Sequence, residues 1–579
     1  MIFSQHYLAC LSHASYLIGD ETTGRAVVVD PRRDIGVYLE EAEAEGLRIE
    51  RVLETHLHAD FLSGHLELAA ATGAVVSFGE AARLDFPSEP LAHGRRIELG
   101  EVALEILATP GHTPESICVV VYEHPGDADP YGVLTGDTLF VGDVGRPDLL
   151  ASSGTGFDAD TLGRLLYASL HEQLLRLPDE TRVFPAHGAG SSCGKQLSSE
   201  TSSTIGEQRR SNYALQPMTE DQFVAAVTEG QPVRPHYFTF DAQRNRQRHS
   251  LLDERRPPPE LTLAEVLERV EAGAIALDSR EPADFAAGHL RGAVNVGLLG
   301  RFAEWAGDVL DPDGEIVLVG DPATAAESSV RLARIGYDTV SGYLGDPGAL
   351  FVDRPELVEA SSRLTIEQLA ELAGLVPDVQ VVDVRNPGET VAGTLPGARL
   401  VPLAVLVDSL DGLDRDAPTV VTCAGGYRSQ VAASLLRHAG FADVSDLIGG
   451  CGAWTAAGLP VVGDGTVPGL AVQVTPVVAE ELLDAGAVLV DVREPGEWVA
   501  GHAPQARLVP MGQVEARLHE LPTGARAVVV CRSGGRSNTV TQLLTSRGVD
   551  AVNLAGGMRA WAEAGLPVVT DGGDAGSVV

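Results

Sequence analysis

The densest chemistry in the chain lies in THLHADF, residues 55–61. His56, His58 and Asp60 crowd this run after an apolar stretch that includes Ile49, Val52 and Leu53. Imidazole nitrogens and a carboxylate at such spacing suit a metal ion. Three further motifs have the same character: TPGHTPES (109–116), TGDTLF (135–140) and PAHG (185–188). Each follows an apolar, strand-like segment, and strand ends that feed loops are where a sheet gathers functional groups at one rim. Singly each motif is weak, because a lone histidine is more often a surface or hydrogen-bonded core residue. Together, in this order, they point to a metal site. Phe61 cannot bind a metal, so its place at the end of the first run raises the question of one ion or two.

A second kind of chemistry is written in CAGGYR (423–428) and CRSGGR (531–536). Each loop sets a cysteine after an apolar strand and an arginine five positions later. The glycines let the backbone curl so that successive N–H groups face inward as an anion cradle. A helix pattern begins near Ser429 or Ser537, and its N-terminal dipole, with Arg428 or Arg536, favours thiolate over thiol. Cys423 and Cys531 are thus candidate nucleophiles able to receive sulfur and hold it as a persulfide. Cys451, Cys10 and Cys118 read as packing residues, and Cys193, in GAGSSCGK, stays open. The six cysteines are too sparse and irregular for a disulfide framework.

The elements that position these residues follow from repetition and alternation. VVDVRNPGE (381–389) pairs with LVDVREPGE (489–497), and LIGGCGAWTAAGLPVV (447–462) with LAGGMRAWAEAGLPVV (554–569). Asp383 and Asp491, like Cys423 and Cys531, are 108 positions apart, so one domain occurs twice. ALDSREPADFAAGHLRGAVNV (276–296) matches the start of the same unit. No cysteine lies between Cys193 and Cys423, and the first unit's loop region reads VLVGDPATAAES (317–328). That unit is expected to be catalytically inactive, a structural or docking module. Each unit opens with a helix-like segment and then alternates apolar strands with helix patterns, the signature of α/β units with a parallel sheet. The region before them is also α/β. The expected boundaries are 1–240, a polar, arginine- and proline-rich linker at 241–260, then units at 261–355, 363–463 and 472–570.

Length and composition set the outer limits. The 579 residues exceed what one core accommodates. The formal net charge of −39 argues against a nucleic-acid partner. Lys195 is the only lysine, which reads as a compositional bias. There is no secretory leader pattern and no apolar run long enough to span a bilayer, so no membrane partner and a cytoplasmic location are expected.

On its four histidine and aspartate motifs, about residues 1–240 resemble the metallo-β-lactamase superfamily, an αββα sandwich, and within it the persulfide dioxygenase branch. The resemblance implies one non-haem Fe(II) per chain, with zinc as the alternative. Its implied ligands are His56, His112 and Asp137, a facial set of two histidines and a carboxylate that leaves positions for substrate and O2. The two-metal members end this motif His-x-His-x-Asp-His, and Phe61 removes that last ligand. His58, Asp60 and His187 are read as orienting the ligands and bound water. His65 is read as a supporting or helix-surface histidine. Many dioxygenases of the branch keep histidine where Phe61 stands, so the departure is real. GDVGRPDLL (142–150) matches a loop in which an arginine contacts the glutathione part of the substrate, making Arg146 a substrate-binding candidate. SSTIGEQRRSNYALQP (202–217) resembles a feature of bacterial fused forms and reads only as a packing element. The two cysteine loops, with their Asp-x-Arg and GG…W…G-L-P motifs, resemble the rhodanese sulfurtransferases over nearly all of residues 260–570, and Arg428 and Arg536 are the matching anion-binding arginines.

The resemblance implies oxidation of a small-molecule persulfide, glutathione persulfide first, by O2 to sulfite, with sulfane sulfur moved between persulfide, sulfite and thiosulfate by Cys423 and Cys531. It allows a homodimer. Two rivals remain at this stage: a zinc-dependent hydroxyacylglutathione thioester hydrolase, and a sulfur carrier that oxidises nothing.

Overall fold

The computed structural model describes all residues except 150–156, 196, 376–378, 392, 463–471, 494, 515–516, 518–525, 533, 548, 555, 571, 574–575 and 579. Gly463, the expected end of the second repeat, lies outside the described residues, as do Leu150 of GDVGRPDLL and Glu494, Ser533 and Ala555 of the third repeat's motifs.

Side-chain alternation builds the N-terminal layers. Along Arg25–Val29, Val27 and Val29 face one way and Val28 the other, as the pleat of a strand requires. The inward set joins Tyr16, Ile18 and Leu53 and packs against Leu104, Ile106, Ile117, Val119, Val121, Leu134 and Phe184 of a second sheet. The outward set packs with Tyr38, Ala42 and Leu68 of the helices Gly36–Ala44 and His65–Thr72. The second sheet is covered in turn by Ala159–Glu172 and Glu220–Thr228, through Leu166, Leu170, Phe223, Val224 and Val227. The result is the αββα sandwich expected from the sequence.

Sheet order explains the shared rim. In the first six-stranded sheet, Arg25–Val29, Arg48–Leu53, Val75–Gly79 and Glu89–Leu91 run parallel in that order. In the second, Gly132–Gly136 lies parallel to Arg182–Pro185 and antiparallel to Ile117–Tyr122. His56, His112, Asp137 and His187 all follow the C-terminal ends of strands, after Leu53, Ala108, Gly136 and Pro185 respectively.

Three parallel sheets follow. The second repeat has the order Ser362–Leu364, Val444–Leu447, Thr419–Thr422, Gln380–Asp383, Ala398–Leu400, and the third repeats it with Val472–Val474, Ala551–Leu554, Ala527–Val530, Val488–Asp491 and Arg507–Leu508. The first repeat keeps four of these strands, Val294–Asn295, Ile275–Asp278, Ile316–Val319 and Val340–Leu344. A single parallel bridge between Glu260 and Tyr343 stands at its edge.

The chain divides into two compact units, 1–360 and 361–579. The first therefore holds both the sandwich and the first repeat. The start of the stretch 241–260, expected from the sequence to be a linker, packs into this unit. Helix Tyr237–Arg244 buries Tyr237, Phe238, Asp241 and Ala242. Asn245 donates to the carbonyls of His58 and Phe61 at 2.9 and 2.8 Å and accepts from the Ser63 amide at 2.9 Å. Its buried polar contacts come from Asn245 and the Ser250 carbonyl, while Arg255 and Arg256 stay exposed. From the sandwich, buried Arg33 binds Glu67 at 3.0 Å, Asp338 at 2.9 Å and the Ser250 carbonyl at 2.7 Å. From the repeat, Arg334 forks onto Asp34 at 2.8 Å through both nitrogens, and its carbonyl accepts from the Leu62 amide at 2.8 Å. Among the described residues no helix is long and apolar enough to cross a membrane.

Asn245→Ala should leave two buried carbonyls and one amide unpaired. A loss of about 2–3 kcal/mol is expected, read as a lower midpoint for melting of the first compact unit, with metal retention falling alongside because the His58–Phe61 turn loosens.

Candidate metal centre and cysteine loops

His56, His112 and Asp137 each offer one ligand atom, and these atoms lie within 4.8 Å of one another. Asp137 Oδ2 stands 3.8 Å from His56 Nε2 and 3.6 Å from His112 Nε2. The two imidazole rings are nearly perpendicular at 89°, with centroids 5.0 Å apart. All three residues are buried. Each ligand is aimed by a hydrogen bond on its far side. The Arg146 carbonyl accepts from His112 Nδ1 at 2.9 Å, which fixes the tautomer and frees the Nε2 lone pair. Thr55 Oγ1 donates to Asp30 Oδ2 at 2.8 Å and so accepts from His56 Nδ1, 3.0 Å away. His187 Nδ1 donates to Asp137 Oδ1 at 2.7 Å, leaving Oδ2 for the centre.

Electrostatics agree with this geometry. Burial lowers the pKa of His56 well below the ordinary histidine value, and burial likewise lowers that of His112, so both are neutral donors. Burial opposes the charge of Asp137, yet the His187 imidazole holds its carboxyl below the usual carboxylate range. His187 itself loses solvation, but Asp137 and Asp60 together raise it well above the ordinary value. His56 Nε2 and Asp137 Oδ2 are buried without a hydrogen-bond partner among the described residues. Buried polar atoms of this kind are costly unless something binds them, and a nitrogen lone pair beside a carboxylate oxygen suits a divalent cation. The donor set therefore fits one metal ion.

The other residues singled out in the sequence take separate places. His58 turns to Asp30 at 3.2 Å and Glu54 at 3.3 Å. Burial works against its charge, but those two carboxylates push it up to about 10. Its ring and that of His13 lie against Phe61, at centroid distances of 4.3 and 4.0 Å. Phe61 thus sets a buried apolar ring against His13 and His58. His65 pairs with Glu54 at 3.4 Å and stacks on Phe86, away from the ligands. Asp60 Oδ2 pairs with His187 Nε2 at 2.8 Å.

Arg146, the substrate-binding candidate of the sequence, is already paired. Its guanidinium forks onto Asp148 at 2.7 Å through both bonds and donates to the carbonyls of Ser192 and Pro232 at 3.2 and 2.8 Å. Its backbone carbonyl, and not its charge, serves the centre. The loop that carries it is braced by the 202–217 run. Gln208 accepts from the Gly142 amide at 2.8 Å, Asn212 donates to the Asp143 carbonyl at 2.9 Å, and Tyr213 donates to Asp143 Oδ1 at 2.8 Å. Two glycines are obligatory here. A Cβ on Gly145 would fall 1.9 Å from the Asp137 carbonyl, and Gly136, at φ +50°, would place one 2.6 Å from Thr55 Oγ1. Sequence reasoning missed His13, whose two ring nitrogens are buried without partners among the described residues. It also left Cys193 open; that thiol is buried and within 4.8 Å of ligand atoms of Asp60 and His187. The six-residue spacing from His187 was the available signal.

In the cysteine loops, Gly426 N donates to Cys423 Sγ and Gly534 N to Cys531 Sγ, both at 3.1 Å. Both glycines have positive φ, +97° and +100°. Ser537 Oγ donates to Cys531 Sγ at 3.3 Å, and Cys423 Sγ donates to Ser429 Oγ at 3.5 Å. The helices begin at Tyr427 and Gly535, slightly ahead of the expected serines. Arg428 forks onto Glu389 at 2.7 and 2.6 Å, and Arg536 onto Glu497 at the same distances. To bind an anion these arginines must exchange that glutamate, a partner the sequence reading did not assign. The Asp-x-Arg motif is a structural clip: Arg385 folds back onto Asp383 and the Gly393 carbonyl, and Arg493 repeats this with Asp491 and Gly501. Cys451 lies 3.7 Å from Asp383 Oδ2, and burial, with Asp383, pushes its thiol up to about 11, consistent with an inert packing residue. In the first repeat, Gly320 follows the strand Ile316–Val319 where cysteine follows the corresponding strands, and Asp321 caps the next helix.

Comparison with known proteins accords with this division. Residues 8–187 match the metallo-beta-lactamase superfamily, and 262–346, 365–457 and 475–564 each match the rhodanese-like domain. The mitochondrial persulfide dioxygenase ETHE1 of Bos taurus is 30% identical over 241 residues, spanning 40% of this chain and 82% of that protein. A hydroxyacylglutathione hydrolase of Polaromonas sp. is 36% identical over 177 residues, spanning 30% of this chain and 61% of that protein. A crystal structure of a metallo-beta-lactamase from Staphylococcus aureus superimposes with a TM-score of 0.55 and 34% identity, covering 59% of this chain and 99% of that one.

Thr55→Val removes the acceptor that fixes the His56 tautomer. Metal affinity should fall about 10–100-fold, measured by competition with a chelator, while Asp30 stays buried and the fold persists.

Proposed function

Because the chain belongs to the metallo-β-lactamase superfamily and carries three rhodanese-like domains in series, we propose that it is an iron-dependent persulfide dioxygenase joined to a sulfurtransferase. The observation that carries this reading is the buried two-histidine, one-carboxylate set His56, His112 and Asp137, together with Phe61 where the two-metal motif carries histidine and a His58 engaged by Asp30 and Glu54. A two-metal hydrolase of the hydroxyacylglutathione kind needs ligands where these residues stand. His56, His112 and Asp137 would hold Fe(II), which supplies the redox chemistry that joins O2 to sulfur.

The remaining steps belong to the chain. Persulfide, O2 and water are converted to thiol and sulfite, and protons are released. Asp60 Oδ1 lacks a partner among the described residues and is a free acceptor beside the site, while His187 keeps Asp137 charged and oriented. Burial of the ligand set excludes bulk water from the reacting sulfur. In the rhodanese-like domains, the thiolate of Cys423 or Cys531 attacks the outer sulfur of thiosulfate. The S–S bond breaks, sulfite leaves with its electron pair, and the cysteine holds a persulfide. The Gly426 and Gly534 amides already point at the sulfur and stabilise its charge. The reverse transfer, onto sulfite, makes thiosulfate, so the product of the first reaction is an acceptor for the second. Gly320 in place of cysteine leaves the first repeat without this chemistry.

Oxygen uptake with glutathione persulfide, measured on Fe(II)-loaded protein of known metal content, tests the reading. Uptake with about one iron per chain and sulfite formed is expected. Asp137→Ala should abolish uptake and spare thiosulfate-dependent sulfur transfer, and Cys423→Ser with Cys531→Ser should do the reverse. Iron bound without uptake would overturn the dioxygenase, and zinc with thioester hydrolysis would put the hydrolase in its place.

A further inference from the structure

The repeat without a nucleophile is built against the sandwich, at the turns that follow Phe61 and His187. Its helix Phe302–Val309 lies on Tyr237 so closely that a Cβ at Gly307 would fall 2.4 Å from the tyrosine ring. Tyr237 is buried, and its hydroxyl has no hydrogen-bond partner among the described residues. Glu304 of that helix and Asp60 of the centre are the charges that act most strongly on this hydroxyl. Glu304 also interacts electrostatically with Asp60 and His187, and burial pushes its carboxyl up to about 7 against the opposing pull of Arg301. Arg301 pairs with Glu304 through Nη2. Its Nη1 reaches the turn after His187, where a Cβ on Gly190 would sit 3.1 Å away. Its Nε is buried with no partner among the described residues.

This pair is not needed to hold the repeat in place. Arg33 with Asp338 and Arg334 with Asp34 already do so. Removing a further ion pair from water is costly, and packing alone does not require it. Unlike Arg33, the pair keeps a way to solvent, with 31% of Arg301 and 14% of Glu304 exposed. A carboxylate, a guanidinium and an unpartnered phenol hydroxyl, gathered on Tyr237 and at the turn after His187, form a recognition set with both signs of charge. The carboxylates favour an ammonium and oppose a polyanion, and the guanidinium favours a single carboxylate.

We propose that Arg301 and Glu304 bind the charged end of the persulfide's carrier, with Glu304 and the Tyr237 hydroxyl receiving an ammonium and Arg301 a carboxylate. The first repeat is then the specificity wall of the oxidation site, and the substrate class is an amino-acid-like, zwitterionic thiol persulfide in preference to inorganic polysulfide or a phosphate-bearing thiol. This rests on the persulfide reading above.

Two measurements on the full-length protein test it. In oxygen uptake, Glu304→Gln should raise KM for glutathione persulfide about 10–100-fold, with a smaller change in kcat and no change for the persulfide of 3-mercaptopropionate, which lacks an ammonium. Arg301→Gln should raise KM for both. Unchanged metal content and thiosulfate transfer establish that the variants are folded. In calorimetry, glutathione should bind the metal-free protein and lose affinity on Glu304→Gln. An unaltered KM, or an equal rise for both substrates, overturns the proposal while leaving the dioxygenase standing. Wild-type protein that takes up no oxygen sinks the dioxygenase, and glutathione binding that is absent or indifferent to Glu304 then sinks this assignment as well.

Discussion

The Asp137 carboxylate sits out of water between two neutral imidazoles, and much of the N-terminal half of the chain serves to tolerate that charge. His187 supplies the compensating proton, and Asp60 stabilises His187 in turn. The imidazoles must remain neutral and must present Nε2, so their Nδ1 atoms need fixed partners. Those partners come from distant segments: Asp30 through Thr55, and the Arg146 carbonyl on a loop braced by Gln208, Asn212 and Tyr213. Each brace is itself hydrogen-bonded, and most are buried, because a half-satisfied polar network is worse than none.

Arginine is the chain's recurrent device for pairing carboxylates. Arg33, Arg146, Arg334, Arg385, Arg428, Arg493 and Arg536 each meet a carboxylate through the guanidinium, most of them with a two-pronged grip. The planar fork matches a carboxylate with little loss of freedom per bond. A consequence is that an arginine in a loop next to a reactive group is not automatically a ligand grip. Arg146 shows this most plainly, since its charge is spent on Asp148 while its carbonyl aims His112.

The three repeats share a sheet and differ in what their loops carry. The second and third place a thiol against a curled amide and a serine hydroxyl. The first keeps the parallel sheet, replaces the nucleophile by Gly320, and spends its surface on contacts with the sandwich. That exchange makes the sandwich and the first repeat one compact unit and brings Arg301 and Glu304 to the neighbourhood of Asp60 and His187. The polar segment before it takes part in the same packing through Tyr237, Asp241 and Asn245.

By itself the sequence determined the α/β class, the tandem repeats, the missing cysteine and the candidate residues of both sites. These depend on local signals: alternation in strands, glycines at positive φ, and residue types that only metals or sulfur chemistry reward. The resemblance carried His56, His112 and Asp137, and the fold brings them together because all follow strand ends at one rim. What only the tertiary structure decided is which partner each polar group meets. His58 and His56 stand two positions apart, yet one turns to Asp30 and Glu54 and the other to the ligand set. Arg428 and Arg536 meet glutamates nearly forty positions away in sequence, and Asn245, in a stretch whose composition reads as a linker, caps the His58 and Phe61 carbonyls. Long-range pairing of charges leaves no periodic trace in a sequence, because hydrogen bonding selects partners by distance in space and not by spacing along the chain.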